Sequence, residues 1–411
     1  MINLLHIPEG VRDIYGSEGL NKSKLEASIM SCIHRYGYTD IETPTFEYFD
    51  IFNKERGTVP SKDMYKFFDR EGNTLVLRPD ITPAIARTAA KYYKDFDIPV
   101  RLCYRSKQFI NHTGLQGKLK QTTQMGVELY NDDSVYADYE VISLTIDCIK
   151  ASNVQDFQLE IGVADFYLGI VEEAGLSEAQ EATLRSILEQ KNIFALDSFV
   201  AEIDASDSVK KILGRLAELY GSIDIIDELK KEKLNEKSAK ALERLSELYK
   251  LIRTYGYENH ISFDLSMLSK YSYYTGIFFR AITYGSGEPI AYGGRYDNLV
   301  KQFGMDVPAI GMSITVDYLL MSLEREGLVP ETEKNCTLIF YSKKNAGKAF
   351  DYAREIRVRK ECCRLCPDET GEKFELFNKW LNGEADVLEM HNKFTWELET
   401  FDVKDIIKLC D

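Results

Sequence analysis

The sequence has no Gly-x-x-x-x-Gly-Lys-Ser/Thr loop, no dinucleotide fingerprint and no His-Glu-x-x-His pair, so three common signatures of phosphate, cofactor and zinc chemistry are missing. Histidine is scarce, at His6, His34, His112, His260 and His391, and no neighbouring motif recruits any of them into acid–base catalysis. There is no excess of positive charge: 51 Lys and Arg face 66 Asp and Glu, a net charge of −15, which argues against nucleic acid or anionic lipid as a broad partner. No apolar run reaches the roughly 18 residues of a membrane helix, and Met1 to Gly10 lacks the basic-then-apolar order of a leader. The expected setting is cytoplasmic, with small molecules or other proteins as partners.

Cysteine is sparse too. Eight are scattered through 411 residues, unlike the dense framework of a small secreted domain, and reduced thiols are expected. Cys363 and Cys366 form one Cys-x-x-Cys, but no second Cys or His pair lies nearby to complete a structural zinc site, so no metal and no cofactor are expected.

The length asks for two or three domains. Leu25, Ile29, Cys32 and Ile33 recur at helical spacing between Leu20 and Arg35, with Gly37 as the stop. Pro44 favours an extended edge segment across Asp40 to Phe46. Met64 to Asp69 and Thr74 to Leu77 read as a hairpin, followed by a helix over Pro83 to Tyr93. Strands are expected at Arg101 to Arg105, Thr122 to Leu129, Phe157 to Ile161 and Ile277 to Ile282. The fold class expected is α+β, an antiparallel sheet core flanked by helices.

Residues 168–255 carry a helical pattern, with an apolar stripe at Leu234, Leu242, Leu245, Leu248 and Leu251. They are read as an insertion between two halves of a core, 1–167 and 256–328. After a polar linker at Pro330 to Asn335, residues 331–411 alternate strand and helix: Leu338 to Tyr341, Lys348 to Lys360, Glu372 to Leu381, then Asp386 to Met390. These form a small α/β domain.

Acidic residues are absent between Asp97 and Glu128, whereas Arg101, Arg105, Lys107, Lys118 and Lys120 all fall there. This is either an anion trap or, by the weight of composition, a solvated stretch whose charges pair elsewhere. Asp80 and Glu128, set beside Thr82 and Gln124, could accept hydrogen bonds from an ammonium or an imidazole N–H. Tyr273 and Tyr274 before Gly276, and Gly293-Gly294 before Arg295-Tyr296, offer flat walls and close backbone approach, although either pair alone is as well explained by ordinary strand and turn structure.

In order and spacing, the segments from Pro8-Glu9-Gly10-Val11-Arg12-Asp13 to Gly311-Met312-Ser313 resemble the histidyl-tRNA synthetase family of class II synthetase folds. The matches are Tyr36-Gly37-Tyr38 with Pro44 for the dimer-forming segment, Arg78-Pro79-Asp80, Arg105, Gln124 with Glu128, Tyr273-Tyr274-Thr275-Gly276, and Gly293 to Leu299. The resemblance implies that Asp80, Thr82 and Gln124 face the amino group of histidine and Arg105 its carboxylate. Glu128 and Tyr274 would face its imidazole, with Tyr273 and Tyr296 beside them.

The departures fall on ATP. An acid expected two residues after Arg105 is Lys107, an arginine expected near Leu319 is replaced within Asp317-Tyr318, and Ser269 stands where a catalytic arginine is expected before Tyr273. Loss of two cations aimed at phosphate removes the preorganised electrostatics of adenylation.

The segment Leu77-Arg78-Pro79-Asp80-Ile81-Thr82-Pro83 also resembles the family's catalytically silent relatives, the regulatory subunits of short-form ATP phosphoribosyltransferase. That resemblance implies L-histidine as effector, a separate catalytic subunit as partner in the first step of histidine biosynthesis, and homodimers within a hetero-octamer. Residues 331–411 hold 14 Lys and Arg against 17 Asp and Glu, a poor footprint for reading tRNA, and look like a reduced anticodon-binding domain. The competing readings are a histidyl-tRNA synthetase with substitute cations and a synthetase-like interaction protein.

Overall fold

The structure is a computed structural model that describes residues 5–52, 59–112, 118–267, 274–329, 336–382 and 403–409. The chain divides into two compact units, Met1–Arg12 with Leu25–Leu328, and Asp13–Lys24 with Val329–Asp411.

Helix α1 (Gly16–Arg35) buries Leu25, Ile29, Cys32 and Ile33, the stripe read from the sequence, and Gly37 follows at φ 80°, where a side chain would be strained. The expected extended segment becomes β1 (Thr39–Asp40) and β2 (Phe46–Tyr48). β2 joins β3 (Lys66–Phe68) and β4 (Thr74–Leu77) in a small antiparallel sheet of order β2-β4-β3. The Asp69 carboxylate closes the hairpin, accepting from Asn73 N at 2.7 Å and Asn73 Nδ2 at 2.8 Å. Pro83 sits in the first turn of α2 (Thr82–Tyr92), where its missing N–H costs nothing.

The main sheet is built from β5 (Val100–Phe109), β6 (Gln121–Tyr130), β7 (Phe157–Val163), β8 (Tyr220–Gly221), β9 (Ile261–Asp264), β10 (Ile277–Thr283), β11 (Ala291–Arg295) and β12 (Ala309–Thr315), with β1 at one edge. Its order is β1-β5-β6-β12-β11-β10-β7-β9-β8. The expected α+β class holds, but the antiparallel expectation needs amending, because β1·β5 and β7·β9 are parallel pairs. Helix α3 (Val135–Ala151), capped by Ser134, buries Val141, Ile142, Leu144, Ile146 and Ile149.

Between β7 and β9 run six helices, α4 (Ala164–Ala174), α5 (Glu178–Glu189), α6 (Ile193–Glu202), α7 (Asp207–Arg215), α8 (Asp224–Leu229) and α9 (Glu236–Thr254). On α9 the buried stripe is Ala241, Leu242, Leu245, Leu248 and Ile252; Leu251, expected inside, is half-buried because Ile252 holds the inward position one residue on. A buried carboxylate ties this region to the sheet: Asp138 Oδ1 accepts from Arg295 Nε at 2.6 Å and Oδ2 from Arg244 Nε at 2.6 Å. Helices α10 (Asp297–Lys301) and α11 (Val316–Glu326) follow β11 and β12.

The second unit contains β13 (Cys336–Tyr341), α12 (Ala346–Val358), β14 (Cys362–Pro367), α13 (Glu372–Leu381) and β15 (Val403–Leu409), with both outer strands parallel to β13. The cysteine cluster, met in the sequence as a motif, is strand β14. Alternation sends Cys362 and Cys366 toward Phe340 and Phe377, and Cys363 toward Ile339, Ala349 and Ala353, so Cys363 and Cys366 face opposite ways. The linker at Pro330 to Asn335 and the strand expected at Asp386 to Met390 lie outside the described residues.

Candidate functional site

Antiparallel pairing places Glu128 of β6 directly opposite Gly311 of β12, Gly311 opposite Gly294 of β11, and Gly294 opposite Phe278 of β10. Gly311 clears room for a carboxylate on the sheet surface, while Gly294 admits the close approach of Phe278. A Cβ built on Gly311 would collide with the Glu128 carboxylate, and would stand only 2.7 Å from Val127 O.

Glu128 is sealed within this gap. Thr82, at the start of α2, donates from Oγ1 to Glu128 Oε1 at 2.9 Å, and Tyr296, between β11 and α10, donates from its phenol to Oε2. Burial pushes the Glu128 carboxyl up to about 8; the Asp80 charge adds to the rise, while the donations from Tyr296 and Thr82 oppose it. Near neutral pH this carboxyl is therefore mainly protonated. Asp80 is buried beside it and its Oδ1 accepts from Ile81 N at 2.7 Å and Thr82 N at 3.3 Å, so the same carboxylate holds the α2 start in place. Asp297 locks the next segment: Thr275 Oγ1 donates to its Oδ2 at 3.0 Å and Ala309 N to its Oδ1 at 2.8 Å. Tyr274, half-buried, packs against the core containing Tyr296 and stacks on Phe278 with centroids 5.9 Å apart.

Gln124, four residues from Glu128 along β6, is buried, and its Oε1 has no hydrogen-bond partner among the described residues. It also lines a cleft of about 210 Å³ with Gln108, His112, Lys118, Lys120, Tyr292 and Tyr318.

Asp80, Thr82, Glu128, Tyr274 and Tyr296 are brought together, Gln124 lies four residues away along β6 on the same face of the strand, and Tyr273 lies outside the described residues. Arg105 is not brought to this cluster. On β5, Tyr104 pairs with Gly126 and Ser106 with Gln124, so strand alternation turns Arg105 and Lys107 to the opposite face. There Arg105 is exposed and its Nη1 donates to Glu26 Oε2 at 3.2 Å. Pairing elsewhere accounts for three of the five cations between Asp97 and Glu128: besides Arg105, Arg101 pairs through two bonds with Glu140, at 2.8 and 2.7 Å, and Lys118 with Glu288 at 2.7 Å. Arg78 is a structural clamp, donating to Lys107 O at 2.7 Å and Thr43 O at 2.8 Å.

Of the positions that departed on ATP, Tyr318 lines the cleft, Lys107 is exposed, and Ser269 lies outside the described residues. Gly311, Tyr292 and the Lys118–Glu288 pair are the site elements that sequence reasoning missed. The signal for Gly311 was its register with Glu128, which no single segment carries.

A sheet of this order, with a carboxylate and glycine row across its centre and the Asp80 turn beside it, defines a class II synthetase-like protein. A family model described as histidyl-tRNA synthetase matches residues 10–319. The chain is 36% identical to the ATP phosphoribosyltransferase regulatory subunit of Acetivibrio thermocellus, across 98% of this chain and 99% of that one. It is 37% identical to the protein of the same name from Ruminiclostridium cellulolyticum, across 86% and 84%. The chain belongs to the family of ATP phosphoribosyltransferase regulatory subunits.

Among solved structures, one described as an ATP phosphoribosyltransferase regulatory subunit/histidyl-tRNA synthetase from Bacillus halodurans superposes with a TM-score of 0.83 at 29% identity, covering 100% of both chains. The histidyl-tRNA synthetase of Nostoc sp. PCC 7120, at 20% identity, TM-score 0.71 and coverage of 92% and 89%, shares the fold. Among the described residues no helix is long and apolar enough to cross a membrane.

Proposed function

We propose that this chain is the non-catalytic regulatory subunit of a short-form ATP phosphoribosyltransferase, serving the first step of histidine biosynthesis and relaying inhibition by histidine. The observation that carries the reading is the buried Asp80–Thr82–Glu128 cluster, with Gln124 on the same strand as Glu128 lining a cleft in which Tyr318 stands at the lost arginine segment. Asp80, Thr82 and Gln124 meet the ammonium group, while Glu128, Tyr274 and Tyr296 meet the imidazole. Full-length similarity to proteins named regulatory subunits supports a catalytic transferase chain as partner.

Arrival of positive charge favours the ionised Glu128 carboxylate and draws the proton off, so the attraction strengthens as the ligand seats. For feedback, histidine must bind two assembly states unequally, since equal affinity shifts nothing. The implied assembly is a homodimer within a hetero-octamer.

Calorimetric titration of histidine into the purified chain tests the site. Glu128→Ala should weaken binding several-fold or more, as a buried charge-assisted bond is worth roughly 1.5–3 kcal/mol. Unchanged affinity removes Glu128 from the pocket.

A further inference from the structure

We propose that His34, Asp40 and Cys103 form a binding site for a divalent transition-metal ion, with zinc the best match, on the face of the main sheet opposite Glu128. An imidazole, a carboxylate and a thiol converge there from three elements, the last turn of α1, β1 and β5, and their ligand atoms all lie within 4.8 Å of one another.

The spacing is near that of tetrahedral coordination. Bond lengths of about 2.3 Å to sulfur and about 2.0–2.1 Å to nitrogen and oxygen put neighbouring donors about 3.3–3.6 Å apart. Cys103 Sγ lies 3.7 Å from Asp40 Oδ1, and His34 Nε2 lies 3.0 Å from Asp40 Oδ2. Small side-chain adjustments therefore close the set around one ion. Backbone pairing fixes two of the donors: Asp40 and Cys103 are in register on β1 and β5, and Ile41 N donates to Cys103 O at 2.8 Å.

Donor chemistry selects the ion. Thiolate with imidazole favours zinc-like metals over magnesium or calcium, which prefer all-oxygen shells. A neutral imidazole, a carboxylate and a thiolate also balance a double positive charge. Cys103 is the buried floor, while the side chains of His34 and Asp40 are 45% and 68% exposed at the opening. The opening is a cleft of about 1000 Å³ lined also by Glu26, Arg35, Glu42 and Arg105, with Arg105 held by Glu26. A fourth position is thus open to water or to an incoming ligand. Without an ion, the His34–Asp40 contact is an exposed pair worth little to stability.

The test is titration of the metal-free, full-length chain with cobalt(II) and zinc. Cobalt should bind as a single equivalent, giving a thiolate-to-cobalt charge-transfer band and strong tetrahedral d–d absorption that zinc abolishes. Cys103→Ser should remove the charge-transfer band, and His34→Ala and Asp40→Asn should each weaken zinc binding on the order of tenfold or more. Absence of the band, or its persistence in Cys103→Ser through another cysteine, overturns the proposal. Should Cys103→Ser fail to fold, the two variants at exposed positions decide: unchanged zinc affinity in both rejects the site.

Discussion

Replacing Glu128 with glutamine should change how stability depends on pH, and the structure sets both sign and size. Burial raises this carboxyl from an ordinary 4.5 to about 8. Between those values the unfolded chain gives up a proton that the folded chain keeps. Stability is therefore full below about 4.5 and is lost as pH rises through about 8. Integrating the two titrations, the loss between about pH 5.5 and about pH 8 comes to about 3 kcal/mol from this one residue. Glutamine keeps the shape and cannot ionise, so Glu128→Gln should remove that part of the slope. Urea unfolding of both proteins across this range, with the midpoint and slope fitted at each pH, measures it. Identical pH profiles for variant and parent would refute the claim that Glu128 is a buried, proton-holding acid.

Asp138→Ala should destabilise by about 3–5 kcal/mol, because it leaves the Arg295 and Arg244 guanidinium groups without their shared carboxylate; chemical denaturation checks this, and a loss below about 1 kcal/mol would deny the buried bridge its role. Gly311→Ala should cost about 1–3 kcal/mol and abolish histidine binding, since the added methyl displaces the Glu128 carboxylate; calorimetry beside thermal unfolding separates the two effects. Thr82→Val removes one of the two donors that restrain the Glu128 carboxyl, so the fall in stability should extend to higher pH than in the parent; a shift toward lower pH would contradict the hydrogen-bond assignment.

Local patterning made much of the fold legible. The α1 stripe, the Asp69–Asn73 hairpin and the α13 span follow directly from spacing and turn chemistry. Strand β14 escaped because the cysteine cluster was weighed only as a metal motif, whereas alternation in a parallel sheet packs its three cysteines against the core from both faces. The acceptor cluster was visible through resemblance, yet Arg105 was misplaced: a residue's face depends on the pairing register of β5 with β6, which the separate segments do not reveal. Gly311 and the His34–Asp40–Cys103 convergence were hidden for a related reason, since both join residues far apart in the chain.

The central claim is that a synthetase-like site now senses histidine without activating it. Histidine-dependent ATP–pyrophosphate exchange, measured on protein shown by calorimetry to bind histidine and run beside an active histidyl-tRNA synthetase, tests it most directly. The account predicts no exchange above background despite saturation with histidine; exchange at a rate near that of the active enzyme would contradict it and make the chain a catalyst.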